Sequence, residues 1–255
     1  EEALVRTRAK IKAMGAEDFD DVAIDVIGEE SFWGAHATAT SSREVALKVA
    51  CRHQDARAVA LLLRELSGVA LGAPAGMAFF AGARAKPSPV IRLFSTLVDK
   101  SSLELKLIDE AAETAFIPPT APVGISAPCE TGIPDIDDSP RSVLVEVSLE
   151  TLAWGRSGDK GDKANVGIIA RKPDYLPWIA ATLTEAYVAD RFAHFMTAPG
   201  IDRYYLPGTS ALNFLLHNAL GGGGIASLRN DPQAKAYAQV LLDTPIMIPQ
   251  HLLEA

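Results

Sequence analysis

The chain has 255 residues, of which 48% are hydrophobic and 22% charged, so it is long enough for two domains and argues against bulk disorder. Its net charge of −8, with lysines and arginines scattered singly, argues against a nucleic-acid-binding surface, which needs clustered cations. No apolar run reaches the ~20 residues that span a bilayer, and the first residues are charged, unlike a signal peptide. We therefore expect a cytoplasmic protein with no nucleic-acid or membrane partner.

Taken in chain order, the first part of the sequence predicts a helix, two half-buried strands, a second helix and a hairpin. These elements are residues 1–14, 21–27, 44–52, 56–67, and 90–98 paired with 103–108. Both half-buried strands alternate apolar and polar residues. Asp55 is a typical N-cap for the second helix, and Gly68 is a typical residue to end it. Residues 70–89, rich in Gly, Ala and Pro, predict a long loop that contacts a ligand or a neighbouring chain.

Residues 111–142 interrupt this pattern with six prolines and several acids, which is typical of an extended linker between domains. The part beyond it predicts about four strands and two helices. The strands are residues 143–149, 166–171, 203–206 and 245–249, the helices are 174–189 and 231–242, and residues 211–220 fit either type. The predicted fold class is α+β, with two small mixed α/β modules, the second a ferredoxin-like sandwich.

Cysteine and histidine give little support for a metal site or for nucleophilic catalysis. Cys51 and Cys129 are far apart, so they indicate neither a disulfide framework nor a cysteine-based metal site. The five histidines show no metal-ligand spacing. His217 lies in an apolar run, and we expect it to be a core residue rather than a base. No metal is predicted, and the sequence identifies no cofactor.

The most polar structured stretch is residues 154–165, WGRSGDKGDKAN, which lies between two apolar segments. Its glycines allow positive φ, while cations alternate with Asp159 and Asp162. Such a loop could bind an anion or place a carboxylate beside an ammonium for proton transfer. It could equally be a hairpin loop whose charges pair with one another.

A second unusual stretch is the run of four glycines at Gly221–Gly224, followed by Ile-Ala-Ser-Leu-Arg. Four consecutive glycines are costly in chain entropy, so the backbone must adopt a form that side chains forbid. The run fits a ligand-binding loop or a tight interface loop, and it matches no nucleotide-binding spacing. From both stretches we select catalytic candidates and ligand-binding candidates. The catalytic candidates are Asp159, Lys160 and Asp162, and the ligand-binding candidates are Arg156, Ser157, Lys163, Asn165, Gly222, Gly223, Ser227 and Arg229.

Four segments of the second part together indicate a family. They are residues 152–171 (LAWGRSGDKGDKANVGIIAR), RYYL at 203–206, ALNF at 211–214 and LGGGGIASLRNDPQAKA from Leu220. They resemble the C-terminal module of the acyclic terpene utilisation (AtuA) family. EVALKVACRH, from Glu44, resembles the closing part of the family's first domain. The resemblance implies a first domain at 1–110, a linker at 111–142 and a ferredoxin-fold domain at 143–255. It also implies a longer N-terminal region in family members, with which this chain would associate.

The resemblance implies a role in the catabolism of branched acyclic acids, such as acyl-CoA esters derived from citronellol and geraniol. We therefore expect a small-molecule acid or an acyl-CoA as ligand, and a hydration or proton-transfer step as the reaction. The alternative is a non-catalytic assembly module of a larger AtuA-type protein. In either case two small sheets with uncovered faces predict a homo-oligomer.

Overall fold

The computed structural model describes residues 1–38, 41–73, 75–78, 85–92, 94–117, 132–136, 143–198 and 200–254. The chain forms two compact units: Glu1–Arg92 together with Ile133–Ala255, and Leu93–Gly132. Most of the predicted linker, and Cys129, lie outside the described residues. The division at 110 and 142 remains a prediction.

The larger unit begins with two helices and two strands that form a small core of their own. These elements are α1 Glu2–Ala13, β1 Asp21–Ile27, β2 Ala46–Arg52 and α2 Ala56–Leu71. The two strands pair antiparallel, from Asp21 opposite Arg52 to Ile27 opposite Ala46. Leu4 and Leu62 are buried where the helices meet. Helix α2 continues past Gly68, where the sequence predicts its end, because Val69 still packs against this core.

The smaller unit contains an antiparallel hairpin of β3 Leu105–Ile108 and β4 Glu113–Phe116. The predicted pairing of 90–98 with 103–108 is wrong, since no described residue of 90–98 is in a strand. The Asp109 carboxylate accepts hydrogen bonds from the backbone of Ala111 (2.8 Å) and Ala112 (3.2 Å), which closes the turn on the other side of β3.

The second part of the larger unit is built on an antiparallel sheet of four strands in the order β6-β7-β9-β8. A separate antiparallel pair joins β5 to β10. The strands are β5 Leu144–Ser148, β6 Ala153–Lys160, β7 Lys163–Ala170, β8 Ile201–Leu206, β9 Ala211–Leu216 and β10 Pro245–Pro249; the helices are α3 Leu149–Leu152, α4 Leu176–Thr182, α5 Glu185–Arg191, α6 Tyr237–Leu242 and α7 Gln250–Glu254.

One face of the four-stranded sheet is buried and the other is open. Along β7 the residues Ala164, Val166 and Ile168 point into the core, and along β9 Leu212 and Phe214 do the same. This alternation is the period of two that a half-buried strand requires. The ambiguous residues 211–220 are therefore a strand over 211–216.

Two predicted helices differ from the structure in instructive ways. The helix at 174–189 is divided into α4 and α5, because the Thr184 hydroxyl accepts a hydrogen bond from Tyr187 N (3.1 Å) and starts a new helix. The helix predicted from Asp231 begins only at Tyr237. The Asp231 carboxylate accepts its hydrogen bond from Ala236 N (2.8 Å), after a turn in which Ala234 has a φ of 54°.

Candidate functional site

The polar stretch at 154–165 is a strand hairpin rather than a loop. Strands β6 and β7 pair without interruption to Lys160 opposite Lys163, which leaves Gly161 and Asp162 as a two-residue turn. Gly161 has a φ of 70°, as the first position of a tight hairpin turn requires. The sequence did not predict these strands, because their outward-facing side chains are charged and their inward-facing side chains are small.

The glycine run lies directly against this turn. The Asp162 carboxylate accepts a hydrogen bond from Gly222 N (2.7 Å), and the Asp162 carbonyl accepts one from Ala219 N (3.0 Å). A Cβ atom on Gly223 would lie 2.7 Å from the carbonyl oxygen of Gly161. The structure thus brings together the two segments selected from the sequence, and glycine is required because the two backbones touch.

Several of the candidate side chains on the hairpin already have partners within the protein. The Ser157 hydroxyl is buried, accepts a hydrogen bond from Ala238 N (2.9 Å) and donates one to the Lys235 carbonyl (3.3 Å). Asn165 donates to the Asn213 side chain on the neighbouring strand. Lys160 Nζ donates to the Asp159 carbonyl (2.9 Å). These contacts stabilise the hairpin and the start of α6.

The remaining hairpin candidates are more accessible. Arg156 and Lys163 are exposed on the open side of the sheet. Asp159 is about one-third exposed and lies 3.9 Å from Lys235 Nζ, which is a long ion pair. Their positions allow contact with an anion or with another protein chain, and their predicted functional roles remain predictions.

Arg229 lines a cleft whose volume is about 310 Å³. The cleft is formed by the end of β1 and the turn after it, by Phe195, and by the segment before α6. Its lining residues are Asp25, Ile27, Gly28, Glu30, Ser31, Phe32, Trp33, Phe195, Arg229, Asn230, Asp231 and Ala236. Ser227, also a candidate, supports this segment, since its hydroxyl accepts a hydrogen bond from Arg229 N (3.3 Å).

The guanidinium of Arg229 is held by neutral groups. Nη2 donates to the Phe195 carbonyl (2.6 Å), Nη1 donates to the Ala219 carbonyl, and Cζ lies 5.4 Å from the centre of the Phe195 ring. No carboxylate of the described residues lies within 4 Å of it. Nη1 also donates to the Tyr237 hydroxyl (3.5 Å), so two of the five N–H groups of the arginine remain after these three bonds. The cleft therefore contains a half-buried positive charge that no carboxylate of the described residues neutralises through an ion pair.

Three carboxylates also line the cleft, and each has a partner of its own. Asp25 lies 3.4 Å from Lys48 Nζ, Glu30 accepts a hydrogen bond from Thr38 N (2.6 Å), and Asp231 accepts one from Ala236 N. Asp231 uses one oxygen in this bond, and no residue in the described part of the chain donates to the other. A guanidinium and a carboxylate thus face the same small volume.

An aromatic cluster of Phe32, Phe195 and Tyr237 at the cleft joins the first and second parts of the larger unit. Phe32 packs 5.0 Å from Phe195 and 5.5 Å from Tyr237, measured between ring centres. Tyr237 is fully buried and donates to the Ala219 carbonyl (2.9 Å), and its burial raises its pKa to about 12. The sequence signal that we missed is the pair Phe32-Trp33, which interrupts a polar segment between two strands.

The open face of the sheet carries a histidine–carboxylate pair. His217 Nε2 lies 2.7 Å from Asp202 Oδ2, and the hydrogen bond to His217 lowers the pKa of Asp202. Tyr204 donates to the same carboxylate (3.4 Å). The expectation that His217 is a core residue is wrong, because its side chain is 29% exposed at the end of β9.

Two negative observations apply to the residues that the structure describes. None of their helices combines the length and the apolar character needed to cross a membrane. Within the same residues, no three His, Cys, Asp or Glu side chains are grouped so that they could hold a metal ion.

Family models match both parts of the chain. Residues 2–108 match the acyclic terpene utilisation family protein AtuA, and residues 147–247 match the AtuA ferredoxin-like domain, which confirms the predicted fold of the second part. Comparisons with curated proteins and with solved structures gave no significant match. The two matched regions together span most of the sequence, and the chain therefore belongs to the acyclic terpene utilisation (AtuA) family.

Proposed function

We propose that this chain binds a branched carboxylic acid or its acyl-CoA ester in the Arg229 cleft and promotes a proton-transfer or hydration step there. Membership of the family indicates a role in acyclic terpene utilisation. The observation that carries the proposal is the guanidinium of Arg229, which has no carboxylate partner among the described residues and lies in a cleft with aromatic walls. Guanidinium groups bind carboxylates through two parallel hydrogen bonds.

The shape of the cleft supports an apolar ligand with one polar end. Ile27, Phe32, Trp33 and Phe195 provide apolar surface, and the volume of about 310 Å³ lies at the small end of the range for ligand sites. A branched chain of about ten carbons would replace water on this surface, while Arg229 binds the carboxylate or polarises the thioester carbonyl.

A proton-transfer step needs a base near that carbonyl. Asp231 lines the same cleft, two residues after Arg229, and one of its carboxylate oxygens has no donor among the described residues. Asp159, Lys160 and Asp162 remain a second proposal for acid–base chemistry, supported by the loose Asp159–Lys235 pair. The cleft is the stronger candidate because it encloses a volume in which a substrate could lie.

Binding of geranic acid, followed by calorimetry and by tryptophan fluorescence, to which Trp33 of the cleft contributes, tests the cleft. Arg229→Gln should weaken binding about tenfold or more, because it removes a charge-assisted hydrogen bond. Arg156→Gln, which removes the same charge from the open sheet face, should leave binding unchanged. Arg229→Lys keeps the charge and loses the paired hydrogen bonds, and the Tm of each variant controls for folding. Equal affinity of the wild type and Arg229→Gln, or a larger loss in Arg156→Gln, would contradict the proposal.

The alternative function, an assembly module, is supported by the open face of the four-stranded sheet. Trp154, Ile169, Tyr204 and Leu206 point out from this face and are 44–53% exposed. The strand registers place Trp154, Ile169 and Leu206 in one row across the sheet. An apolar surface of this kind commonly marks a protein contact.

The partner that fits this face best is a second copy of the chain. Strand β6 carries Arg156 and Lys160 at one edge, and β8 carries Asp202 at the other. A twofold axis parallel to the strands would lay β6 of one copy over β8 of its partner, so that these charges meet. Light scattering should then give twice 27.1 kDa. Ile169→Glu should yield monomers, whereas Ile225→Glu, at an exposed position outside the sheet, should not. A wild-type chain that is monomeric in solution would rule this contact out.

A further inference from the structure

A second cavity lies at the other end of the β1–β2 pair, where β2 leads into α2. We call it the basic groove; its volume is about 680 Å³. Its lining residues are Arg52, His53, Gln54, Ala56, Val59, Pro87, Ser88, Pro89, Val90 and Arg92. Two arginines line this groove, and none of its described lining residues is a carboxylate.

Arg52 is mostly buried and incompletely bonded. Nη2 donates to the Ala226 carbonyl (2.6 Å), and Asp21 approaches it only to 3.9 Å. Its Nε is buried and has no hydrogen-bond partner. A buried donor without a partner is unfavourable and commonly indicates a missing water or ion. Arg52 therefore has an unused donor as well as a positive charge at the groove.

His53 lines the groove with both ring nitrogens bonded to the backbone. Its Nδ1 accepts a hydrogen bond from Asp55 N (2.8 Å), so this nitrogen carries no proton. Nε2 must then carry the proton, and it donates to the Glu17 carbonyl (2.9 Å). Both ring nitrogens are thus occupied by backbone groups, and the permanent positive charges of the groove are those of its two arginines.

The carboxylates near the groove are occupied by other partners. Asp20 accepts a hydrogen bond from Gln54 (2.9 Å), and Asp55 forms an ion pair with Arg57 (2.6 Å), which lowers the pKa of Asp55. Arg92 is exposed, and no carboxylate of the described residues lies within ion-pair distance of it. Arg52 therefore has only the long ion pair with Asp21, and among the described residues no carboxylate neutralises Arg92.

We infer that the basic groove binds the phosphate groups of a phosphate-bearing ligand, with Arg52 and Arg92 as its cationic contacts. The inference rests on the proposed function for the identity of that ligand, an acyl-CoA rather than a free acid. Lys48 beside the Arg229 cleft and Arg52 in the groove lie on the same face of β2, and their side chains bond to the Leu228 and Ala226 carbonyls. Four residues of strand separate them by about 13 Å. A coenzyme A ester is long enough to reach from one site to the other.

Calorimetric titration with coenzyme A, ADP, inorganic pyrophosphate and orthophosphate tests this inference on the wild-type chain. We expect coenzyme A, ADP and pyrophosphate to bind and to compete with one another, with affinity falling as salt is raised. Arg92→Gln should weaken each of them about tenfold. The matched control is Arg64→Gln, which removes an exposed arginine of α2 that does not line the groove.

The outcomes separate this inference from the proposed function. Geranic acid carries no phosphate, so its binding should depend on Arg229 and be unaffected by Arg92→Gln. If coenzyme A and ADP bind while pyrophosphate does not, the adenosine part rather than the phosphates is recognised, and the inference is wrong. It is also overturned if none of the phosphate compounds binds, or if Arg92→Gln and Arg64→Gln weaken binding equally. In each of these cases the binding of geranic acid still tests the proposed function of the Arg229 cleft independently.

Discussion

Replacement of Gly223 by alanine tests the contact between the glycine run and the β6–β7 turn. Gly223 has a φ of 80°, and a Cβ atom there would lie 2.7 Å from the carbonyl oxygen of Gly161 and 2.9 Å from its carbon. The obstructing atoms are backbone atoms of a tight turn, so no side chain can rotate away. Relief would require the turn and the glycine run to separate, which stretches the hydrogen bond from Gly222 N to Asp162.

The expected loss of stability has two parts. A non-glycine residue at positive φ costs about 1–3 kcal/mol, and forcing extra volume into a packed contact costs about 1–3 kcal/mol. Gly223→Ala should therefore lower the free energy of unfolding by roughly 2–6 kcal/mol. For a chain of this size, that corresponds to a fall of roughly 4–24 °C in Tm.

Gly224→Ala is the matched control, because an added Cβ there meets no atom within 4 Å. Its effect should stay within about 0.5 kcal/mol, as for an ordinary surface substitution. Urea unfolding followed by circular dichroism, together with thermal melts, measures both variants. If Gly223→Ala and Gly224→Ala unfold at the same urea concentration and temperature, the backbone contact between the two segments is refuted.

Two further predictions concern the aromatic cluster. Burial raises the pKa of Tyr237 to about 12, whereas an unfolded tyrosine titrates near pH ~10. The free energy of unfolding should therefore keep its full contribution from Tyr237 below about pH 10 and fall by about 2–3 kcal/mol as the pH approaches 12. Tyr237→Phe should remove this alkaline fall in urea titrations, and parallel curves for the two proteins would contradict it. Gly34→Ala should lower Tm by several degrees, because its Cβ would lie 2.6 Å from the His194 ring; an unchanged Tm would show that these segments do not pack as described.

The sequence alone determined the elements whose signal is local. Alternation of apolar and polar residues predicted β1, β2 and β5 close to their observed bounds, and the four glycines marked the run that must approach another backbone. Residues 152–171 and the segments after them were sufficient to indicate the family. These features depend only on residues that are close together in the chain, so they can be recognised in a single sequence.

Only the tertiary structure decided where side chains from distant parts of the chain meet. The Arg229 cleft joins residues 25–33 to residues 229–236, and the His217–Asp202 pair depends on the register of β8 against β9. Hydrophobic periodicity reports which face of an element is buried, but it does not report which other element covers that face. For the same reason the sequence predicted a loop where the β6–β7 hairpin lies. The cations of these strands point away from the core, and only the pairing of the strands shows that the alternate residues point into the core.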